Sequence, residues 1–389
     1  MTPLFTLGLV TLVFNLGGGV TAPALPLYAR SLGATYGDLG LIGVAHGLAF
    51  AALTIPLGRA SDRLGRRRLL LTSALTTGAA ATCFLLSTHV IGLVAGKLLE
   101  AAGLAAFWPA LEAWVAEGFG RRAGGAMGVG YAAYAAAFVV GASLSGFVME
   151  AAGLRAPFAV YLGTATASLL VILAMPATGR KPSEASDSSA PRPSERPGHD
   201  AAARRQRLLA YATGFVYVYG LGTVLAFLPA YAADRHLTPS AVGVLLGVYW
   251  VGRLLASVGA GRLSDRLGRR AILVPAMLAM VASAALVALP AGAGVLFAGA
   301  LGLGLAAGAC APTCVGLIAD HVRPAHRGMA MGFFEGTCGV AFIAAGFVGG
   351  QAADAFGPSV PYVLTAALAL GWMPVLVRQL PTLPREPPG

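Results

Sequence analysis

The chain repeats its own sequence at a shift of about half its length. Residues 58–67, which read GRASDRLGRR, return at residues 261–270 as GRLSDRLGRR. Further along, Glu150 aligns with Asp354 at a shift of 204 positions. A period this long exceeds the roughly 20 to 50 residues of solenoid repeats. The chain therefore consists of two copies of one large unit in the same orientation.

The composition is typical of a chain that crosses a membrane many times. Hydrophobic residues make up 57% of the chain and charged residues only 11%, whereas soluble domains carry roughly 25% charged residues. Because lipid cannot hydrogen-bond an open backbone, each segment that crosses about 30 Å of hydrocarbon must be a helix. The first apolar segment lacks a basic leading stretch, so we do not interpret it as a cleaved signal peptide. We predict an all-α polytopic membrane protein with twelve transmembrane helices, at about 4–29, 38–57, 69–88, 91–117, 125–149, 157–177, 208–233, 240–260, 271–289, 293–319, 329–352 and 360–378.

The basic residues indicate the orientation of these helices. Arg30, Arg155 and Arg235 lie on one side, Lys97 and Arg253 lie within spans, and the other 22 of the 27 Lys and Arg residues lie on the opposite side. The positive-inside rule places that richer side in the cytoplasm. We therefore expect a multi-pass protein of the cell (inner) membrane with both termini cytoplasmic. The basic pI is a topology signal, and no nucleic-acid partner is predicted.

One segment separates six predicted spans from the other six. Residues 179–207 are rich in Ser, Pro, Ala and charges of both signs, with almost no large apolar side chain. Such a composition cannot bury a core. We predict an N-terminal six-helix bundle over 1–178, a cytoplasmic linker over 179–207 and a C-terminal six-helix bundle over 208–389.

The duplicated loop, the six-plus-six spans and the central linker resemble the major facilitator superfamily over essentially the whole chain. The resemblance implies the major facilitator fold, with two pseudo-symmetric six-helix bundles that give alternating access to a site between them. It also implies that Asp62 faces the start of helix 11 and Asp265 the start of helix 5, which would latch the cytoplasmic side shut. The alternative is that the loop arginines only fix the topology. The predicted conformational latch comprises Gly58, Asp62, Arg63, Gly65 and Arg66, with their counterparts Gly261, Asp265, Arg266, Gly268 and Arg269.

Two further segments resemble the drug:proton antiporter branch of this family. Residues 97–109 are similar to the RxLxGxGxAxxxP signature of proton-coupled members, with Lys97 in place of the arginine and Ala101 in place of a glycine. Residues 141–146 lie where drug antiporters carry a GPxxGG pattern, but the proline is missing. Glu112 and Glu117, at the cytoplasmic end of helix 4, are expected to pair with loop arginines.

Ionisable residues deep inside a membrane are costly and usually face a cavity or a partner. Lys97 and Glu100 stand one helical turn apart, so Glu100 is either neutralised by Lys97 or carries the coupling proton. Glu335 has no charged neighbour at i±3 or i±4, and it is either the proton carrier or a partner of Arg253 or a loop arginine. His46 is a third proton-coupling candidate, with a hydrogen-bonded packing role as the alternative.

The helices that line the cavity in the resembled family carry several polar and aromatic residues. Each of these could equally be a packing residue or belong to an interfacial aromatic belt. The substrate-cavity candidates are Asn15, Lys97, Tyr131, Tyr134, Tyr217, Trp250 and Arg253.

The sequence favours a secondary active transporter for a small amphipathic organic molecule, by proton-coupled efflux. The alternatives are a symporter or facilitator for an organic anion, with Lys97 and Arg253 binding the anion, and a lipid or lysolipid flippase. No nucleophile–base pair and no phosphate-binding loop is recognisable, so we expect neither an enzyme nor catalytic residues. The four cysteines lie in apolar stretches without a metal-binding spacing, so no metal and no cofactor is predicted. The expected partners are the substrate, protons and the lipid bilayer, and the protein is expected to be a monomer.

Overall fold

The computed structural model describes residues 3–119, 123–175, 197–322 and 327–380. In these ranges the chain forms twelve helices that are long and apolar enough to cross a membrane, and no strand. The predicted all-α fold with twelve spans is thereby confirmed. The helices are α1 (Pro3–Ser31), α2 (Tyr36–Leu64), α3 (Arg66–Leu86), α4 (Val90–Phe119), α5 (Ala123–Ala152), α6 (Ala156–Ala174), α7 (Pro197–Asp234), α8 (Pro239–Leu267), α9 (Arg269–Ala288), α10 (Ala293–Asp320), α11 (Arg327–Phe356) and α12 (Val360–Gln379).

The duplicated loop forms the same turn in both halves of the chain. Gly65 separates α2 from α3 with φ 92°, and Gly268 separates α8 from α9 with φ 89°. This left-handed backbone is accessible to glycine without steric cost, which explains why both copies carry glycine here. One glycine thus reverses the chain between two long helices.

The loop arginines anchor each turn to its own half. Arg66 pairs with Glu117 on α4, with an Nη2–Oε1 distance of 2.9 Å. Arg269 pairs with Asp320 on α10, with an Nε–Oδ2 distance of 3.0 Å. Glu117 thus has the predicted arginine partner, whereas Glu112 instead accepts a hydrogen bond from the Tyr131 hydroxyl at 3.3 Å.

The helices pack as two six-membered groups. In the first, α1 packs on α5 and α6, and α3 packs on α4 and α6. The second repeats this order, because α7 packs on α11 and α12, and α9 packs on α10 and α12. The largest contacts between the groups are those of α2 with α11 and of α5 with α8. Two bundles thus face each other across α1, α2, α5, α7, α8 and α11.

Helix α7 extends into the segment predicted as a linker. It begins at Pro197, so residues 197–207 are helical, whereas residues 179–196 lie outside the described part of the chain. The extension is docked on the end of α12, where Arg205 Nε donates to Gln379 Oε1 at 3.1 Å. Gln206 Nε2 also donates to the Gln379 carbonyl, at 3.2 Å. These contacts hold the helical extension of α7, beyond its apolar span, against the end of α12.

Candidate functional site

The two bundles enclose a cavity of about 280 Å³. Side chains of both bundles line it, and most of the lining is apolar or aromatic, which suits a small organic molecule. Eight residues predicted from sequence for the site contribute to the lining, namely Asn15, His46, Lys97, Glu100, Tyr134, Tyr217, Arg253 and Glu335.

Lys97 and Glu100 form an ion pair on the α4 wall of the cavity. Lys97 Nζ contacts Glu100 Oε2, and the other carboxylate oxygen accepts a hydrogen bond from Thr21 Oγ1 at 3.2 Å. Glu100 is only 2% exposed. Both of its oxygens are therefore occupied by protein groups in this conformation.

Glu335 lies on α11 and is in a different situation. It has no hydrogen bond and no ion pair within the described ranges, although it lines the cavity. His46, on α2 of the other bundle, also lacks a partner for its Nδ1. Its ring packs against Phe50 and Phe342, with centroids 6.1 and 5.3 Å away. A carboxyl group and an imidazole thus face the cavity without a fixed protein partner.

Arg253 places a guanidinium in the wall formed by α8. Its Cζ lies 5.0 Å from the centre of the Trp250 ring, a cation–π distance. Trp250 was a substrate-cavity candidate with packing as the alternative, and it is fully buried behind the wall. It packs against Phe138 at 4.2 Å and Tyr134 at 5.5 Å between ring centres. The sequence could not distinguish a ring in the wall from a ring behind it.

Tyr131, another predicted cavity residue, lies outside the lining. It is 52% exposed, and its ring stacks on Trp108 with centroids 5.6 Å apart. Asn15 does line the cavity; its Nδ2 donates to the Thr11 carbonyl at 2.8 Å, while its Oδ1 has no partner.

Sequence reasoning missed several lining residues. Thr21 is the most informative, because it lines the cavity on α1 together with Asn15 and contacts Glu100. A polar side chain on a mainly apolar helix was the available signal. The aromatic lining residues absent from the predicted set are Phe14, Phe50, Trp108, Phe138, Tyr161 and Phe342.

The bundles are joined at one end of the cavity, which we call the opposite end and define by the α1–α2, α5–α6, α7–α8 and α11–α12 connections. Asp354, at the end of α11, accepts hydrogen bonds from the backbone N–H groups of Tyr36 and Gly37, at 2.9 and 2.8 Å. Glu150, at the end of α5, accepts one from the N–H of Ser240 at 3.0 Å. Each acid thus binds the first turn of a helix in the other bundle, where the helix dipole favours negative charge.

These two contacts are symmetry-related, since the repeat aligns Glu150 with Asp354 and the starts of α2 and α8 with each other. A third link lies beside them: Asp234 accepts from the Tyr36 hydroxyl at 2.8 Å and lies 3.5 Å from Arg30 Nη2. The opposite end is therefore closed by polar contacts between bundles.

The helices diverge towards the other end, which we call the basic end and define by the Gly65 and Gly268 turns. Near the opposite end, α2 and α11 are so close that a Cβ on Gly346 would lie 3.0 Å from Val44 N. Similarly, a Cβ on Gly243 of α8 would lie 2.6 Å from the Ala142 carbonyl oxygen of α5. Nearer the basic end, a Cβ on Gly336 of α11 or Gly128 of α5 would meet no described atom within 4 Å. The cavity is accordingly open towards the basic end.

The predicted latch residues lie at this open end. Asp265 pairs with Arg269 of its own loop at 2.6 Å, and its side chain is 64% exposed. The side chain of Asp62 lies outside the described part of the structure. A cross-bundle latch at these two positions stays a prediction for the conformation in which the basic end is closed.

Comparisons with known proteins agree with this architecture. The chain is 27% identical over 160 residues to Multidrug resistance protein 2 of Bacillus subtilis, covering 40% of this chain and 39% of that protein. It is 28% identical over 167 residues to Quinolone resistance protein NorA of Staphylococcus aureus, covering 43% and 42%. These matches span about two fifths of either relative.

A solved structure shows the same fold over nearly the entire chain. A mutant of the nucleoside transporter NupG superposes with a TM-score of 0.80 at 15% identity, covering 97% of this chain and 99% of NupG. The sequence profile of one family matches residues 7–220 and again residues 210–389. The two matched halves agree with the twelve helices and the central cavity of the structure. The chain belongs to the Major Facilitator Superfamily, a family of transporters.

Proposed function

We propose that the protein exports a small amphipathic organic molecule from the cytoplasm in exchange for protons. The supporting observation is a mainly apolar cavity with several aromatic side chains that contains a carboxyl group without a described partner, Glu335, and opens towards the basic end. With the orientation given by the positive-inside rule, that end faces the cytoplasm. In this conformation the protein would receive a substrate from inside the cell. The two resistance proteins named above support export as the direction.

Glu335 is the proton carrier in this proposal. Glu100 already has Lys97 and Thr21 as partners, so a substrate or a proton would have to displace them. Glu335 has neither kind of partner, and its proton can leave when substrate occupies the cavity. Substrate and proton then compete for one group, so substrate binding should weaken as the pH falls. His46 is the next candidate for the proton pathway.

The first experiment identifies the substrate class. Ethidium, 1-anilinonaphthalene-8-sulfonate and lysophosphatidylcholine are compared for their effect on the melting temperature of the detergent-purified protein. Export of a cationic amphiphile predicts stabilisation by ethidium. Stabilisation by the sulfonate alone favours an organic-anion symporter or facilitator, and stabilisation by the lysolipid alone favours a flippase.

The second experiment tests coupling. The stabilising compound is measured in proteoliposomes with and without an imposed pH gradient. Glu335→Gln should abolish uphill transport but keep exchange of substrate between compartments of equal pH, because exchange needs only reorientation of the loaded carrier. Asp38→Asn is the matched control, since Asp38 caps α2 through Thr35 outside the cavity. Uphill transport by Glu335→Gln at the wild-type rate would refute this role.

An organic-anion carrier is the second candidate function, and a specific observation supports it. Arg253 lines the cavity without an acidic partner in the part of the chain that the structure describes. In that case Glu335 would be protonated together with anion binding, and the two would move in the same direction.

A further inference from the structure

The cavity contains one basic and one acidic side chain that have no ionic partner among the residues the structure describes. Arg253 on α8 and Glu335 on α11 both line it, and neither takes part in an ion pair within the described ranges. The third and fourth charges, Lys97 and Glu100, neutralise each other. An unpaired charge away from bulk water is costly, so each of the two is expected to have a partner during function.

Arg253 is held in place for such a partner. Helix α10 packs directly on its backbone: a Cβ on Gly308 would lie 2.9 Å from Arg253 Cα, and one on Gly304 would lie 3.1 Å from Arg253 N. The Ser257 hydroxyl donates to the Arg253 carbonyl at 2.7 Å. The side chain is therefore directed by a fixed backbone and supported by the Trp250 ring.

The guanidinium is incompletely bonded. Its Nη1 is buried and has no hydrogen-bond partner, and the neighbouring Tyr249 hydroxyl also lacks one. Arginine stays charged at all physiological pH values and binds carboxylate or phosphate oxygens through paired N–H groups. Tyr134 and Tyr217 line the same region of the cavity and add two hydroxyl groups. Together these groups supply N–H and O–H donors suited to an anion, within a partly aromatic wall.

We propose that the substrate is a zwitterionic aromatic amphiphile whose acidic group binds Arg253 while its basic group faces Glu335. The inference rests on the proposed function for the Glu335 half only. The Arg253 half depends on the geometry of α8 and α10, and it holds whether or not protons drive transport. A zwitterion gives both Arg253 and Glu335 an ionic partner, whereas a simple cation would leave Arg253 without one.

Two dyes that differ in one group test the proposal. Rhodamine 110 carries a free carboxylate and a cationic ring system, and rhodamine 123 is its methyl ester, which lacks the negative charge. Binding of each dye to the full chain in lipid nanodiscs is measured by fluorescence anisotropy at neutral pH without a gradient, with empty nanodiscs subtracted. Arg253→Gln should weaken rhodamine 110 binding at least about tenfold, the loss expected for a paired charge-assisted hydrogen bond. Rhodamine 123 binding should stay within about twofold, because the ester makes no ionic contact with Arg253.

The controls separate this inference from the proposed function. Arg253→Lys should give an intermediate loss for rhodamine 110, and Arg378→Gln, at an exposed position on α12, should bind both dyes like the wild type. Glu335→Gln should weaken both dyes, since both carry the cation. Equal weakening of the two dyes by Arg253→Gln overturns the anion subsite. The anion subsite is also overturned if the wild type binds rhodamine 110 no better than Arg253→Gln does, or shows no measurable binding of this dye. A failure confined to Glu335→Gln instead contradicts the proposed function and leaves the Arg253 subsite in place.

Discussion

Removing the Asp354 carboxylate should open the opposite end of the cavity. Asp354 accepts hydrogen bonds from Tyr36 N and Gly37 N at 2.9 and 2.8 Å, across the two bundles. Hydrogen bonds to a charged group contribute about 1.5–3 kcal/mol each when buried, and a charge at a helix N-terminus contributes about 0.3–1 kcal/mol. Asp354 is exposed, so solvent screening reduces these values. For Asp354→Ala we expect a total loss of about 1.5 kcal/mol, or roughly a tenfold shift of the equilibrium towards the opposite-end-open state.

The shift can be measured as a distance between bundles at the basic end. Spin labels at Leu64→Cys on α2 and Met329→Cys on α11 occupy exposed positions on either side of the opening. Cys83 is replaced by Ser, and the other three cysteines are buried. Double electron–electron resonance then gives the distance distribution. If the bundles move as rigid bodies, opening one end closes the other, and the population with the shorter distance should rise about tenfold relative to the longer one.

The repeat supplies its own second test. Glu150→Ala removes the symmetry-related contact to Ser240 and should shift the distribution in the same direction. The two sites are on separate helix pairs, so the double variant should show the combined shift. Asp38→Asn changes the first turn of α2 without touching the other bundle and should leave the distribution unchanged. An unaltered distribution in both single variants and in the double variant would refute the closing role of these acids.

Three other perturbations follow from the same geometry. Gly346→Leu should abolish transport while the protein still reaches the membrane, because even a Cβ at this position would lie 2.5 Å from the Gly40 carbonyl oxygen of α2; wild-type transport would contradict the close approach. Replacing residues 179–196 with a Gly/Ser chain of equal length should leave transport in proteoliposomes largely intact, and its complete loss at normal expression would assign that segment a further role. Asp265→Asn should increase cysteine labelling at the basic end, since the predicted latch would no longer hold that end closed; unchanged labelling would argue that the loop charges serve topology alone.

The sequence alone predicted the parts of the structure that depend on periodicity and local chemistry. The twelve apolar stretches correspond to twelve helices, and the duplicated loop lies at the two positive-φ turns, Gly65 and Gly268. The pairing of Glu117 with a loop arginine also follows from sequence, since opposite charges lie at the same end of neighbouring helices. Each of these features can be predicted from the local sequence of a helix or a turn.

The rest depends on how the bundles face each other. The repeat aligned Glu150 with Asp354, but nothing in either helix reveals that both acids reach the other bundle. Periodicity also could not separate Tyr134, which lines the cavity, from Trp250 behind it and Tyr131 outside it. Those distinctions depend on the rotation of each helix about its axis, which packing determines and a single sequence does not record.

Proton release on substrate binding tests the central claim most directly. The purified protein, in a weakly buffered solution with a pH-sensitive dye, is mixed with the compound that stabilises it. If Glu335 exchanges its proton for substrate, the wild type should release protons in proportion to the substrate bound. Glu335→Gln should bind without release, and Glu100→Gln should still release protons, because Lys97 and Thr21 already occupy Glu100 in the parent protein. Undiminished proton release by Glu335→Gln, or none by the wild type at saturating substrate, would contradict the account.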